Sequence, residues 1–421
     1  MCFWDFLLEK SDKRKTVTEN RVSNHVYFAS LLLLVCISVF CLRIRQQGVS
    51  TLFQYADSLK MKKRTFFLLL IITCSCQDIS KKVEQNEAGI NQEAYWRHLD
   101  FLVNLKNEVA KRNWKDFSKK DFFQPAVYYT REGTFVLNPN KHIRSITEYS
   151  KMRPYHEVGR IRLSEKYTDT TNFNFSISYS DSDSTALYFQ ENVLFFQSFY
   201  LTEKLIGVAD LEDWSIMVIH ELFHGYQRAI PEFKAYYTNL PIPGGPDEFL
   251  AKYHRELKWY RESVYKENEI LKNIWIDGAD LVENLKKYNS LRSARIEKVK
   301  ATFGVDIREV EDYEIMIEGH ARYFESLIKR FLAENEPDTS MLTAKDYAHI
   351  TNMFEGYEVQ KDKGLYDIYN DRYYYQLGYN ISMILEKHLP GYRESIYTEE
   401  YNFNRFIETL LENNNGDQNR T

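Results

Sequence analysis

Residues 210–231 read DLEDWSIMVIHELFHGYQRAIP, and the sequence pattern changes on either side of this stretch. Asp210, followed by Asp213 three residues later, predicts the start of a helix, and Pro231 predicts its end. The apolar residues within it indicate that this helix lies in a core, and they are Ile216, Val218, Ile219, Leu222 and Phe223.

The same helix carries an HExxH pattern formed by His220, Glu221 and His224. Histidines four residues apart on a helix share one face, so both imidazoles can reach the same ion. Glu221 is rotated by about 100° from His220, where a base for an activated water belongs. Chance produces such a pattern in roughly one or two per cent of comparable chains. Burying two histidines and a glutamate among apolar residues costs free energy unless they bind a partner such as a metal ion. The pattern therefore predicts a metal site.

The sequence around this helix predicts an α+β fold with a mainly antiparallel or mixed sheet followed by a helical part. A helix is expected near 95–112, and helices are expected after Asp210 at 248–270, 281–303 and 306–333. Segments rich in β-branched and aromatic residues predict strands. These segments are AVYYT, TFVLN, GRIRLS, NFSISYS, ALYFQ and NVLFFQSF, between residues 126 and 199. The expected domain covers 77–421, with a helix-and-sheet part at 77–205 and a helical part at 206–421 that contains an insertion at 232–305.

Two histidines leave a tetrahedral zinc short of one protein ligand and a water. The best further segment is IEGHARYFES at 317–326, which resembles the NEGFARYFE-like segment of zinc aminopeptidases of the gluzincin class. The resemblance implies a gluzincin-like architecture, one Zn²⁺ per chain, and Glu318 as the third ligand. Gly319 would allow close approach of the two helices, and His320 would be a packing or substrate-side residue. Glu325 would either orient a ligand or lie on a solvated face.

A third fragment, YYYQLGYNISMILE at 373–386, extends the resemblance. The family carries a tyrosine three residues before a glycine, and this tyrosine stabilises the oxyanion. By position it corresponds to Tyr375, three residues before Gly378, although most tyrosines are core or surface residues. The stretch between His224 and Glu318 is far longer than in the aminopeptidases, and no GxMEN-like segment is present. Aminopeptidase specificity therefore does not carry over.

The expected reaction is hydrolysis of a peptide bond in a peptide or protein substrate. Glu221 would act as the base and Tyr375 as the oxyanion donor. The strand near 192–199 would hold the substrate by strand addition, as in gluzincins. The alternatives are a non-enzymatic envelope lipoprotein with a structural zinc site and a zinc hydrolase of a non-peptide substrate.

The residues 61–77, MKKRTFFLLLIITCSCQ, resemble a bacterial lipoprotein signal with Cys76 as the lipidated residue. This predicts translation from Met61, a spurious extension at 1–60, and a protein that is lipid-anchored in the cell envelope, on its periplasmic or surface face. The alternative is a two-span membrane anchor formed by 26–42 and 66–73.

The composition argues against nucleic-acid binding and against functions of the main body that depend on cysteine. The net charge of −5 and the isoelectric point near 6.1 argue against a nucleic-acid partner. All five cysteines lie in the first 76 residues, which excludes a disulfide framework, a cysteine nucleophile and a cysteine-based zinc site from the main body.

Overall fold

The computed structural model describes one unit of the chain, within Gln92–Thr421. The described residues are 92–165, 193–202, 208, 210–240, 246–335, 354–389, 391–397 and 403–418. The extension at 1–60, the signal with Cys76, and the strands expected at 174–180 and 186–190 lie outside these residues.

Five strands in the described residues form one mixed sheet. They are β1 (Ala126–Thr130), β2 (Gly133–Leu137), β3 (Tyr149–Lys151), β4 (Arg160–Leu163) and β5 (Leu194–Gln197). Their order is β3-β4-β2-β1-β5, and every neighbouring pair is antiparallel except β1 and β5, which are parallel. Four of the strands were predicted, whereas β3 was missed because it is short, polar and mostly exposed.

The described chain is mainly helical outside this sheet, which confirms the α+β class. None of the described helices is long and apolar enough to cross a membrane. The helices before residue 240 are α1 (Gln92–Asn113), α2 (Lys141–Ile146), α3 (Phe199–Thr202), α4 (Leu211–Ala229) and α5 (Pro231–Thr238). The later helices are α6 (Pro246–Glu256), α7 (Lys258–Trp275), α8 (Leu281–Phe303), α9 (Arg308–Glu334), α10 (Lys363–Tyr366), α11 (Tyr374–His388) and α12 (Phe403–Gln418).

The single helix expected at 248–270 is wrong, because the chain breaks at Leu257. Its backbone is extended, with φ −105° and ψ 100°, and it separates α6 from α7. Arg261 donates to the carbonyl oxygens of His254 and Arg255, both at 2.9 Å. The break leaves carbonyl oxygens of the last turn of α6 unbonded within the helix, and the arginine satisfies them.

The predicted start of α4 is confirmed. The side chain of Asp210 accepts a hydrogen bond of 3.0 Å from the backbone N–H of Asp213, as an N-cap does. Pro231 then opens α5 at its first helical position, where the missing N–H costs nothing. These boundaries place both histidines in the middle of a buried helix.

α9 is the central helix, and it packs on α4 and on α11. A Cβ built on Gly319 of α9 would lie 2.3 Å from Gly378 Cα of α11. A Cβ on Gly378 would lie 2.0 Å from the carbonyl oxygen of Ile315. Gly319 therefore does permit a close helix approach, but the partner is α11 and not the histidine helix α4.

A buried ion cluster ties α7 and α8, within the predicted insertion, to the first turns of α9. Arg295 pairs with Glu267 and Glu311 at 2.7 Å each. Arg292 pairs with Glu311 at 3.0 Å and with Asp312 at 2.7 Å. All five side chains are almost completely buried. The stretch 232–305 therefore supports the helix that carries Glu318.

Candidate metal centre

Three side-chain atoms from α4 and α9 meet in a small triangle. His220 Nε2 and His224 Nε2 lie 3.0 Å apart. Glu318 Oε2 lies 3.3 Å from His220 Nε2 and 3.2 Å from His224 Nε2. Zinc bonds of about 2.0–2.1 Å separate tetrahedral ligand atoms by about 3.4 Å. The triangle thus has nearly the size of one face of a zinc tetrahedron, and these residues form a possible metal-binding triad.

Hydrogen bonds on the far side of both rings show which nitrogens carry hydrogen. His220 Nδ1 lies 2.6 Å from Glu325 Oε1, and His224 Nδ1 lies 2.8 Å from Gln227 Oε1. Both partners are acceptors, so both Nδ1 atoms must donate. In neutral rings the two Nε2 atoms then present lone pairs toward each other.

Glu318 adds a third acceptor to this pair. Its Oε2 atom is buried and has no hydrogen-bond partner within the described chain. Three lone-pair atoms about 3 Å apart are unfavourable in a low-dielectric site unless a cation lies among them. The donor set of two imidazoles and one carboxylate is one that zinc accepts, so the residues present fit the predicted metal.

The electrostatics of the triangle also favour a cation. Burial lowers the pKa of His220, but Glu318 and Glu325 outweigh it and raise the pKa to about 10. Burial would raise the pKa of Glu318, yet the adjacent His224 and His220 hold it well below its usual range. The metal-free site therefore binds a proton tightly, and a metal ion would displace it.

Glu325 is a buried partner of His220. Burial opposes its ionisation, but Arg322 and His220 lower the pKa of Glu325 to about 2. Arg322 Nη1 donates to Glu325 Oε2 at 2.9 Å, while Glu325 Oε1 faces the histidine. Of the two sequence alternatives for Glu325, the structure selects orientation of a ligand over a solvated face.

Glu221 and Tyr375 are both partly exposed neighbours of His220, Glu221 in sequence and Tyr375 through its ring. Glu221 is partly exposed and forms no hydrogen bond or ion pair with any described residue. The ring of Tyr375 stacks on that of His220, with centroids 6.1 Å apart and an interplanar angle of 20°. It is partly exposed, whereas its neighbours Tyr373 and Tyr374 are fully buried. The structure thus brings Tyr375 to the ring of His220, while Glu221 adjoins that histidine along α4.

His320 lies away from the triad. It is fully buried, and its Nδ1 atom lies 2.6 Å from the hydroxyl of Tyr397. Its ring packs edge-on against Phe403 and Trp114, with centroids 4.8 and 5.3 Å away. The third member of the triad is therefore Glu318, and the interpretation of His320 as a substrate-side residue is wrong.

Gln227, Arg322 and Tyr397 were missed by sequence reasoning. Gln227 follows His224 by three residues, which places both on one helix face, so its position was a usable signal. Arg322 precedes Glu325 by three residues on α9, so it had the same kind of local signal. Tyr397 had none, because it reaches the site only through tertiary packing.

β5 lies close to α4, and one backbone carbonyl group of β5 already accepts a hydrogen bond from that helix. Trp214 Nε1 on α4 donates to the carbonyl oxygen of Gln197 at 2.9 Å. This bond fixes the end of the strand against the histidine helix. A peptide adding to β5 could not use that carbonyl without displacing the indole.

Comparison with protein-family models, curated proteins and solved structures gives no match.

Proposed function

We propose that the protein is a zinc-dependent peptidase of the gluzincin type, with His220, His224 and Glu318 as ligands. The observation that carries this is the convergence of two imidazole nitrogens and one carboxylate oxygen at 3.0–3.3 Å from one another. The motifs EGxARYFE and YxxG, which carry the resemblance, also meet in space where Gly319 crosses Gly378.

Bound zinc would polarise the scissile carbonyl and acidify a water molecule. Glu221 takes the proton of the attacking water and passes it to the leaving amine. Its partial exposure and lack of a partner among the described residues support this role. Tyr375 donates a hydrogen bond to the oxyanion that forms on the substrate. Glu325 and Arg322 hold the ring of His220 in place.

Glu221 also separates this function from a structural zinc site. A structural site is closed by protein ligands and has no use for an unpaired carboxylate beside it. Here Glu221 lies within one residue of a ligand and is partly exposed. A non-peptide substrate remains the alternative that substrate profiling must distinguish.

The decisive experiment combines metal analysis with cleavage of a complex peptide library. The parent protein should bind one zinc per chain and lose activity on chelation. Glu221→Gln should keep the zinc and lose nearly all turnover, because it removes a base and not a ligand. His224→Ala should lose both, and the exposed Glu232→Gln serves as the control. Release of zinc by Glu221→Gln, or cleavage of no peptide by zinc-loaded parent, would contradict the proposal.

The segment 61–77 supports a lipid anchor for this peptidase in the bacterial cell envelope. The mature protein should then begin at Cys76 and carry lipid there. Mass spectrometry of the native protein tests this, and an intact amino terminus upstream of Met61 would contradict it.

A further inference from the structure

Arg322 contacts both the carboxylate that holds His220 and the proposed oxyanion donor. It lies one turn after Glu318 on α9, so both side chains leave the same face of the helix. Arg322 Nη1 donates to Glu325 Oε2 at 2.9 Å, and the other oxygen of Glu325 lies 2.6 Å from His220 Nδ1. The guanidinium carbon of Arg322 also lies 5.4 Å from the centroid of the Tyr375 ring. One cationic group thus contacts two of the side chains that surround His220.

The ring of Tyr375 depends on neighbours outside its own helix for its position. It stands in the first turn of α11 and is partly exposed, so α11 covers only part of it. It lies nearly parallel to the ring of His220, and the ring of Tyr374 is 5.4 Å away between centroids. The guanidinium of Arg322 is within the distance of about 6 Å at which a cation is attracted to an aromatic ring. The contacts with His220 and Arg322 therefore help to fix where the ring of Tyr375 lies.

A further contact ties Arg322 to the segment that leads into α11. Its Nη2 atom donates to the hydroxyl oxygen of Tyr369 at 3.3 Å. A guanidinium offers several donors in fixed directions, so it can pair with a carboxylate, donate to a phenol and lie against a ring at once. The compact ammonium of a lysine cannot keep all three contacts.

We infer that Arg322 is a positioning residue that places the ring of Tyr375 beside the metal triad, in addition to its contact with Glu325. This rests on the proposed function, in which Tyr375 donates a hydrogen bond to the oxyanion. Such a donor acts only at hydrogen-bond distance from the developing charge, and a displacement of about 1 Å can lower turnover strongly. Without the guanidinium the ring of Tyr375 is free to turn away from His220.

The test is Arg322→Lys. A neutral replacement would leave the buried carboxylate of Glu325 without its counter-charge, whereas lysine can still pair with it. Zinc content and melting temperature should therefore change little. Turnover should fall by about tenfold with KM little changed, because the misplaced donor matters in the transition state.

A double variant shows whether Arg322 acts through Tyr375. In the Tyr375→Phe background, Arg322→Lys should cause no further loss of turnover, because the ring that Arg322 places no longer carries a hydroxyl. A role of Arg322 in folding or in holding Glu325 alone would give the same loss in both backgrounds.

Relaxation of ¹³C in the Tyr375 ring of metal-free protein is a readout that does not depend on activity. The ring should move faster in Arg322→Lys than in the parent. Arg330→Lys is the matched control, because Arg330 lies on the same helix and its Nε atom donates to the carbonyl oxygen of Ser326 at 3.4 Å. It should resemble the parent in turnover and in ring motion.

Melting temperatures identify a variant that has lost its fold. If Arg322→Lys does so, Tyr369→Phe decides, since it removes only the oxygen that accepts from Arg322. It should lower turnover by about threefold, as expected for one hydrogen bond, and increase the motion of the Tyr375 ring.

Full turnover in folded Arg322→Lys, or ring motion like that of the parent, would overturn the inference alone. A loss of turnover that Tyr375→Phe does not remove would do the same. Full turnover in Tyr375→Phe would overturn the oxyanion role in the proposed function and this inference with it. A parent that cleaves no peptide would overturn the proposed function, and the motion of the Tyr375 ring would then decide the positioning by itself.

Discussion

The crossing of α9 and α11 leaves no room for a methyl group at Gly319. A Cβ at this position would lie 2.3 Å from Gly378 Cα and 2.4 Å from the carbonyl carbon of Gly378. Non-bonded carbon atoms rest at about 3.5–4.0 Å, so Gly319→Ala must separate the helices by about 1 Å or more. No side-chain rotation can relieve this contact, because both obstructing atoms belong to the backbone.

The cost of Gly319→Ala can be bounded from these contacts. Overpacking a core costs about 1–3 kcal/mol, and a backbone clash belongs at the upper end of that range. Alanine is favoured over glycine in a helix by about 1 kcal/mol, so the net loss in the free energy of unfolding is about 2 kcal/mol. At about 2–4 °C per kcal/mol, the melting temperature should fall by about 4–8 °C. Zinc affinity should fall too, because Glu318 adjoins the displaced glycine.

Thermal unfolding of metal-free protein and a zinc titration measure the two effects separately. Gly364→Ala is the control, since its Cβ would meet nothing nearer than Asp362 Oδ1, at 3.6 Å. It should bind zinc like the parent and melt no lower than the parent. If Gly319→Ala also matched the parent in both, the helices could not approach as closely as the structure shows.

Two further predictions concern a tyrosine and a buried lysine. Tyr375→Phe should lower turnover by about a hundredfold with KM, zinc content and melting temperature little changed, as expected for a group whose hydrogen bond to the oxyanion forms in the transition state. Tyr374→Phe is the control for this variant, and full turnover in Tyr375→Phe would refute the role of Tyr375. Tyr373→Phe is unsuitable as a control, because the hydroxyl of Tyr373 donates a hydrogen bond to buried Glu311. Burial lowers the pKa of Lys106 from 10.5 to about 7. At a pH between these two values, Lys106 is protonated in the unfolded chain but not in the folded chain. The free energy of unfolding should therefore rise with pH across that window, by up to about 5 kcal/mol. Denaturant unfolding at pH 7 and 9.5 measures this rise, and Lys106→Met should flatten it. Lys111→Met on the same helix is the control and should leave it unchanged. An equal rise in the parent and in Lys106→Met would refute the prediction.

The local elements of this protein were largely readable from the sequence. Asp210 and Pro231 bound α4 because capping and the missing proline N–H act within a few residues. The bounds of α8 at Leu281–Phe303 were predicted correctly for the same reason. β3 was missed because it is short and polar, and the break at Leu257 was missed because no glycine or proline marks it.

The sequence also predicted His220, Glu221 and His224 as one site, because the helical repeat alone puts four-residue neighbours on one face. Glu318 and Tyr375 came only from resemblance. Their approach to the histidines depends on α9 packing against α4 and α11, with Gly319 and Gly378 at one crossing.

The partners of the triad were decided by tertiary structure. Tyr397 is far from the histidines in sequence, and no local pattern connects it to them. Arg322 lies beside Glu325 on α9, and helix packing brings this pair to His220 and the hydroxyl of Tyr397 to Gln227. Short-range periodicity therefore determined that His220, His224 and Gln227 lie together on α4, whereas long-range packing brought Glu318 and Glu325 to the two histidines.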